Sequence, residues 1–315
     1  MFIMDAHCDT LMDVVEGRRR LADEDKGGQL DLARMVEGGV SAQIFAIYVP
    51  PEYLPGAGAR RALQYVDAFY REIEENSDRL VFATSGTDVE EAYEEGKIAA
   101  LLSIEGGEAL DGRIELLRIF YRLGVRLMTL TWSLRNEIAD GAFEGRTGGG
   151  LTRFGVQVVE EMDRLGMVVD VSHLAEAGFW DVMEISTKPV IASHSNSKAL
   201  CSHPRNLTDD QARAIAQKGG VIGVNFAGHF LGEGRRSLAG VVDHIDHFSS
   251  IIGPEYIALG SDFDGLPWEQ LPDELKDVSQ LPKVAEELAA RGYSESAIQG
   301  IMGENLLRAV ASVIG

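Results

Sequence analysis

Phe2-Ile3-Met4-Asp5-Ala6-His7-Cys8-Asp9 is the stretch that decides how the rest of the chain folds. Residues 2–6 form a short apolar run of strand type. The turn after it carries His7 and Asp9, where a nucleotide-binding open sheet would carry a glycine-rich loop. Apolar runs recur at residues 40–49, 98–104, 126–131, 167–171, 190–193, 221–226 and 256–261. They are continuous rather than alternating, the pattern of strands buried on both faces. Segments with helical spacing separate them, at residues 59–76, 88–95, 113–123, 152–165, 176–185, 208–217, 238–252 and 284–291. Asp209 and Asp210 after Thr208 read as the acidic first turn of a capped helix.

About eight strand–helix units predict an α/β fold, a closed (β/α)8 TIM barrel of parallel strands. The rival is an open doubly wound sheet, but no GxGxxG follows any strand. Residues 1–315 are expected to form a single domain. Extra helices over residues 294–315 should turn Ile301, Leu306, Leu307, Val310 and Val313 inward. Residues 142–150, with consecutive Gly148, Gly149 and Gly150, and residues 265–276 read as loops at the barrel mouth.

Composition limits the function. The net charge of −21 has the wrong sign for a nucleic-acid binder, and Arg18-Arg19-Arg20 is too short a basic run to reverse that. Two cysteines, Cys8 and Cys201, make no disulfide framework and fit a reducing compartment. No apolar stretch reaches the length of a membrane span, and the N-terminus shows no signal-peptide pattern, so no membrane partner and a cytoplasmic location are expected.

A parallel barrel gathers every strand end at one mouth. His7 and Asp9 lie two apart in extended chain and point the same way, so both side chains can grip one divalent cation. Cys8 between them should point away and pack as a small apolar residue. Glu105 ends the run Ala99-Ala100-Leu101-Leu102-Ser103-Ile104, where a buried carboxylate needs a cation or hydrogen-bond donors. Gly106 and Gly107 let the backbone pass close beside it. His173 and His194 end successive strands and can share a second cation. Asp262 is placed for proton transfer, and Asp264 for holding its loop. Arg205, in His203-Pro204-Arg205-Asn206, offers a guanidinium for a substrate carboxylate. His244 and His247 read as helix-packing or surface groups.

Together, Asp5-Ala6-His7-Cys8-Asp9, Ile104-Glu105-Gly106-Gly107, Asp170-Val171-Ser172-His173, Ser193-His194-Ser195, His203-Pro204-Arg205-Asn206 and Ser261-Asp262-Phe263-Asp264-Gly265 resemble the membrane dipeptidase (renal dipeptidase) family of zinc peptidases. The resemblance extends to Gly303-Glu304-Asn305-Leu306-Leu307-Arg308. It implies a metallo-dependent hydrolase barrel with two Zn2+ or similar divalent ions as cofactors. His7 and Asp9 would bind one ion, His173 and His194 the other, and Glu105 would bridge them. Asp262 would be the catalytic acid/base, with Glu105 also part of the catalytic machinery. Arg205 would hold the substrate's C-terminal carboxylate, with Asn206 and Trp132 also at the substrate.

The activity so implied is hydrolysis of dipeptides, L-Xaa-D-Xaa included, by a metal-bridging hydroxide. The dipeptide is the expected partner, and a homodimer is the assembly to test. The chain departs from the family in one place. Mammalian members carry a substrate-binding His in a Thr-Leu-Thr-His stretch, and here it reads Thr129-Leu130-Thr131-Trp132. Indole offers only a donor, so Trp132 either supports a developing oxyanion or shapes an apolar wall, and substrate preference is what it alters. Two rival functions are another barrel amidohydrolase, a deaminase or lactonase, and a catalytically silent metal-binding protein. The first usually carries His-x-His on the first strand, where this chain has Asp9; the presence of every ligand and of Asp262 weighs against the second.

Overall fold

The computed structural model describes residues 1–24 and 27–315. The strands are β1 (Met4–Cys8), β2 (Ala42–Tyr48), β3 (Leu80–Phe82), β4 (Ile98–Glu105), β5 (Val125–Thr129), β6 (Val168–Asp170), β7 (Val190–Ile191), β8 (Ile222–Val224) and β9 (Ile257–Leu259). All pair in parallel, in the order β7-β6-β5-β4-β2-β1-β9-β8. A parallel bridge from Ala192 to Ile222 joins the two ends, and the sheet becomes a (β/α)8 barrel. Every expected strand run contributes a strand. The short β3 was not foreseen: it lies beside the first half of β4, from Ile98 to Ala100, and three residues carry no readable period.

The helices follow the sequence pattern to within a residue or two, as Gly58–Glu75, Arg153–Leu165 and Leu238–Ile252 illustrate. Thr208 caps its helix through a reciprocal box with Gln211, leaving Asp209 and Asp210 in the first turn. Barrel-lining residues such as Met4, Ala42, Ile44, Leu101, Leu127 and Val168 share one apolar cluster with Leu306, Ala309, Val310 and Val313. The last helix, Asn305–Ile314, thus covers the end of the barrel opposite the strand C-termini. Ile301 is buried too, whereas Leu307 is half-buried. With that end filled, the open mouth is where the chain can hold a ligand. No helix among the described residues is long and apolar enough to cross a membrane.

Candidate metal centre at the barrel mouth

The register of the strands places the first residues of the site. Tyr48 pairs with Glu105, Glu105 with Thr129 and Thr129 with Asp170, so these four form one rung at the strand ends. On β1 the register against β2 shifts between Asp5 and Cys8, so the ladder is irregular where His7 stands. Cys8 is fully buried in the core, and both cysteines are free thiols. His7 Nε2 comes to 3.4 Å from Asp9 Oδ2 and 3.9 Å from Asp262 Oδ1.

Glu105 stands at the middle of the cluster. Its Oε1 lies 3.0 Å from His173 Nε2, 3.6 Å from His194 Nε2 and 3.8 Å from His7 Nε2. The ligand atoms of His7, Glu105 and His194 all fall within 4.8 Å of one another, as do those of His7, Asp9 and Asp262. Gly106 after Glu105 has a φ of +91°, and a Cβ at Gly265 would collide with Asp9 Oδ2. His173 and Asp262 hold φ values of +66° and +65°. Left-handed backbone at a non-glycine residue costs about 1 kcal/mol or more, and here the cost falls on two side chains that face the cleft.

Three histidines and three carboxylates are thus packed together nearly out of contact with water. Burial raises the pKa of Glu105 well above the usual carboxylate range and raises that of Asp262, and the neighbouring Asp9 adds to both. Burial also drives His173 and His194 down, aided by Arg205 and His7. Burial opposes a charge on His7 as well, but Glu105, Asp9 and Asp262 outweigh it and raise the imidazole to about 10. The field that would hold a proton on His7 is the field that would hold a metal cation. His7 Nε2 and Asp9 Oδ1 are buried without a hydrogen-bond partner. Imidazole and carboxylate donors converging on orphaned atoms suit a divalent ion.

The cluster forms one wall of a cleft of about 330 Å3. Arg205 lines it; its side chain is 3% exposed, Nη2 donates to His194 O at 3.0 Å, and Nε has no partner. Trp132 lines it as well, stacked on His173 at 6.1 Å and tilted against Tyr48 at 5.6 Å. Phe143 and Gly265, Leu266 and Pro267 bring both predicted mouth loops to its rim. Asn206 is not among the cleft residues. Its amide donates to Cys201 O and Phe230 O, each at 2.9 Å, and so ties down the loop that carries Arg205.

Three residues that sequence reasoning passed over also matter. Tyr48 was legible only as the last residue of a strand. Asn225 donates to Asp262 Oδ2 at 2.8 Å. Arg19, from the basic run, is buried and pairs with Asp13 and Asp264. Asp264 accepts from Gln29 N and Thr10 Oγ1, each at 2.6 Å, and so holds the loop after Asp262.

The model of the family described as membrane dipeptidase (peptidase family M19) matches residues 1–314. The chain belongs to the membrane dipeptidase family. It is therefore a metal-dependent dipeptidase by kinship, with a dipeptide as its class of substrate. Dipeptidase 3 of Mus musculus is 36% identical over 295 residues, which span 91% of this chain and 58% of the mouse protein. The structure of a metallopeptidase described as dipeptidase AC superposes with a TM-score of 0.93 at 32% identity, covering 100% of this chain and 99% of the other. A metallopeptidase from Rhodobacter sphaeroides, solved with a phosphinate mimic of the dipeptide L-Ala-D-Ala, superposes with a TM-score of 0.92 at 30% identity over 99% of both chains. This membership separates the chain from deaminases and lactonases built on the same barrel.

Proposed function

We propose that the chain is a binuclear zinc dipeptidase whose range includes L-Xaa-D-Xaa substrates. The observation that carries the reading is the central place of Glu105 Oε1, within 3.8 Å of His7, His173 and His194 at once. His7 and Asp9 would hold one ion, His173 and His194 the other, and Glu105 both. Bound there, the ions supply Lewis acidity for the scissile carbonyl and for the attacking water.

The chain's own residues do the rest. Asp262 faces the cleft with Oδ2 anchored by Asn225, and burial raises the proton affinity of its carboxylate. It can take a proton at Oδ1 from the attacking water and release it to the departing amine. Arg205, buried with an unsatisfied Nε, is matched to the carboxylate of a short peptide. Asn206 fixes the loop on which Arg205 stands. Trp132 and Tyr48 form an aromatic wall that limits the volume beside the metal centre, so a dipeptide fits better than a longer chain. Support for a D residue at the C-terminal position comes from the Rhodobacter relative and its L-Ala-D-Ala mimic.

The free thiols of Cys8 and Cys201 favour the cytoplasm as the compartment, and a homodimer as the assembly is open to a sizing measurement. The decisive experiment loads the purified protein with zinc, counts the ions and screens L-Xaa-L-Xaa and L-Xaa-D-Xaa panels. Two zinc ions per chain with turnover of dipeptides, and none of tripeptides, is the expected result. A zinc-replete protein inert on both panels would overturn it.

A further inference from the structure

We infer that Asp170 is a positioning residue that acts through the Ser193 hydroxyl on His194, fixing which ring nitrogen faces the metal centre and thereby the affinity of the cation held by His173 and His194. The inference rests on the metallocentre reading above.

Asp170 ends β6 on the rung that includes Glu105 and Thr129, and it is 2% exposed. No salt bridge among the described residues joins it to a lysine or arginine. Its two oxygens instead collect four donors. Oδ1 accepts the backbone N–H groups of Ser172 and Ser193, both at 2.9 Å. Those two residues immediately precede His173 and His194, so one carboxylate oxygen ties together the two chain segments that present the pair. Oδ2 accepts the hydroxyls of Thr129 at 2.6 Å and Ser193 at 2.5 Å.

The Ser193 bond has a consequence for His194. A serine hydroxyl has one proton, and that of Ser193 is directed to Asp170. Its oxygen, 2.7 Å from His194 Nδ1, is then left to accept, so Nδ1 carries the hydrogen. The lone pair of His194 is thereby placed on Nε2, which is 2.8 Å from His173 Nε2 and 3.6 Å from Glu105 Oε1. His173 Nδ1 has its own partner, Ser133 Oγ, at 2.9 Å. If Ser133 accepts there, both Nε2 lone pairs face one point, an arrangement that needs a cation. A carboxylate linked through a ring N–H also makes the opposite nitrogen a stronger ligand and holds the ring in place.

The test measures zinc affinity by competition with a chromophoric chelator, on the full chain, for Asp170→Asn, Ser193→Ala, Ser193→Thr and Thr129→Val. Asp170→Asn and Ser193→Ala are expected to weaken one of the two zinc ions by about 10- to 100-fold while the other stays within about threefold. Ser193→Thr restores the hydroxyl and should restore the affinity. Thr129→Val removes a bond to the same Asp170 oxygen but not the link to His194, and should leave both affinities near wild type. The visible spectrum of the cobalt-substituted protein should change with the first two variants only. Native affinity in folded Ser193→Ala would overturn the inference, and so would an equal loss in Thr129→Val, which would mark a general structural effect. If Asp170→Asn does not fold, Ser193→Ala decides, because it keeps both backbone bonds to Asp170. Wild-type protein that takes up no zinc would refute the metallocentre reading instead.

Discussion

Removing the Arg205 guanidinium should cost binding energy only for substrates that end in a free carboxylate. In the free protein Arg205 is buried, bonded through Nη2 to His194 O, and carries an Nε with no partner. Burial lowers its pKa to about 10 even though Asp262, Glu105 and Asp170 favour the charge. The charge persists at pH 7 in a place where water cannot satisfy it. A substrate carboxylate would complete two charge-assisted hydrogen bonds, each contributing about 1.5–3 kcal/mol. Discounting for the desolvation of the carboxylate, the pair should contribute about 3 kcal/mol, a factor of roughly 100 to 200 in kcat/KM. The assay compares wild type and Arg205→Met on a dipeptide and on the same dipeptide with an amidated C-terminus. The variant should lose about two orders of magnitude on the free acid and less than tenfold on the amide, with both zinc ions retained. Equal losses on the two substrates would show that Arg205 supports the fold or the metals rather than the carboxylate.

Asp262→Asn should keep both metals and lower kcat by about 10^2- to 10^4-fold, since the proton carrier is lost while asparagine tolerates the left-handed backbone there; turnover unchanged from wild type would remove Asp262 from the mechanism. His173→Ala should reduce the zinc content from two ions to one by elemental analysis, and a count of two would break the ligand assignment. Stability should depend on pH through His244, which is fully buried, accepts from Ser197 N at 3.0 Å and is lowered to about 4 chiefly by burial. The unfolded imidazole titrates near 6.5, so the unfolded chain binds the extra proton, and this contribution is complete above about pH 6.5 and lost as pH falls toward 4. Urea unfolding at pH 7.5 and 4.5 should show His244→Gln losing less than wild type, by up to about 3 kcal/mol; parallel losses in the two proteins would rule His244 out.

Much of the site was legible because the chain writes it at strand ends. His7, Glu105, His173, His194 and Asp262 each follow an apolar run, and a parallel barrel leaves such positions only one place to meet. Arg19 was not legible: its run looked like solvated surface, and its burial depends on Asp264, 245 residues away along the chain. Asn206 sits beside Arg205 in sequence, but its amide is taken up by carbonyls of its own loop and of Phe230. Adjacency along an irregular segment says nothing about direction. Tyr48 and Asn225 carry no motif, and their importance appears only beside Glu105 and Asp262.

The sequence by itself determined the barrel, through eight apolar runs alternating with helical periods, and the kind of chemistry, through histidines and carboxylates at the ends of those runs. Tertiary structure decided the geometry of the centre: the register shift on β1 around His7, the rung that lines up Glu105, Thr129 and Asp170, and the burial that leaves Arg205 Nε without a partner. The physical reason is that periodicity reports which face of an element is apolar, a local property. Distances between side chains, and the exclusion of water from them, arise only when strands remote in sequence close on one another.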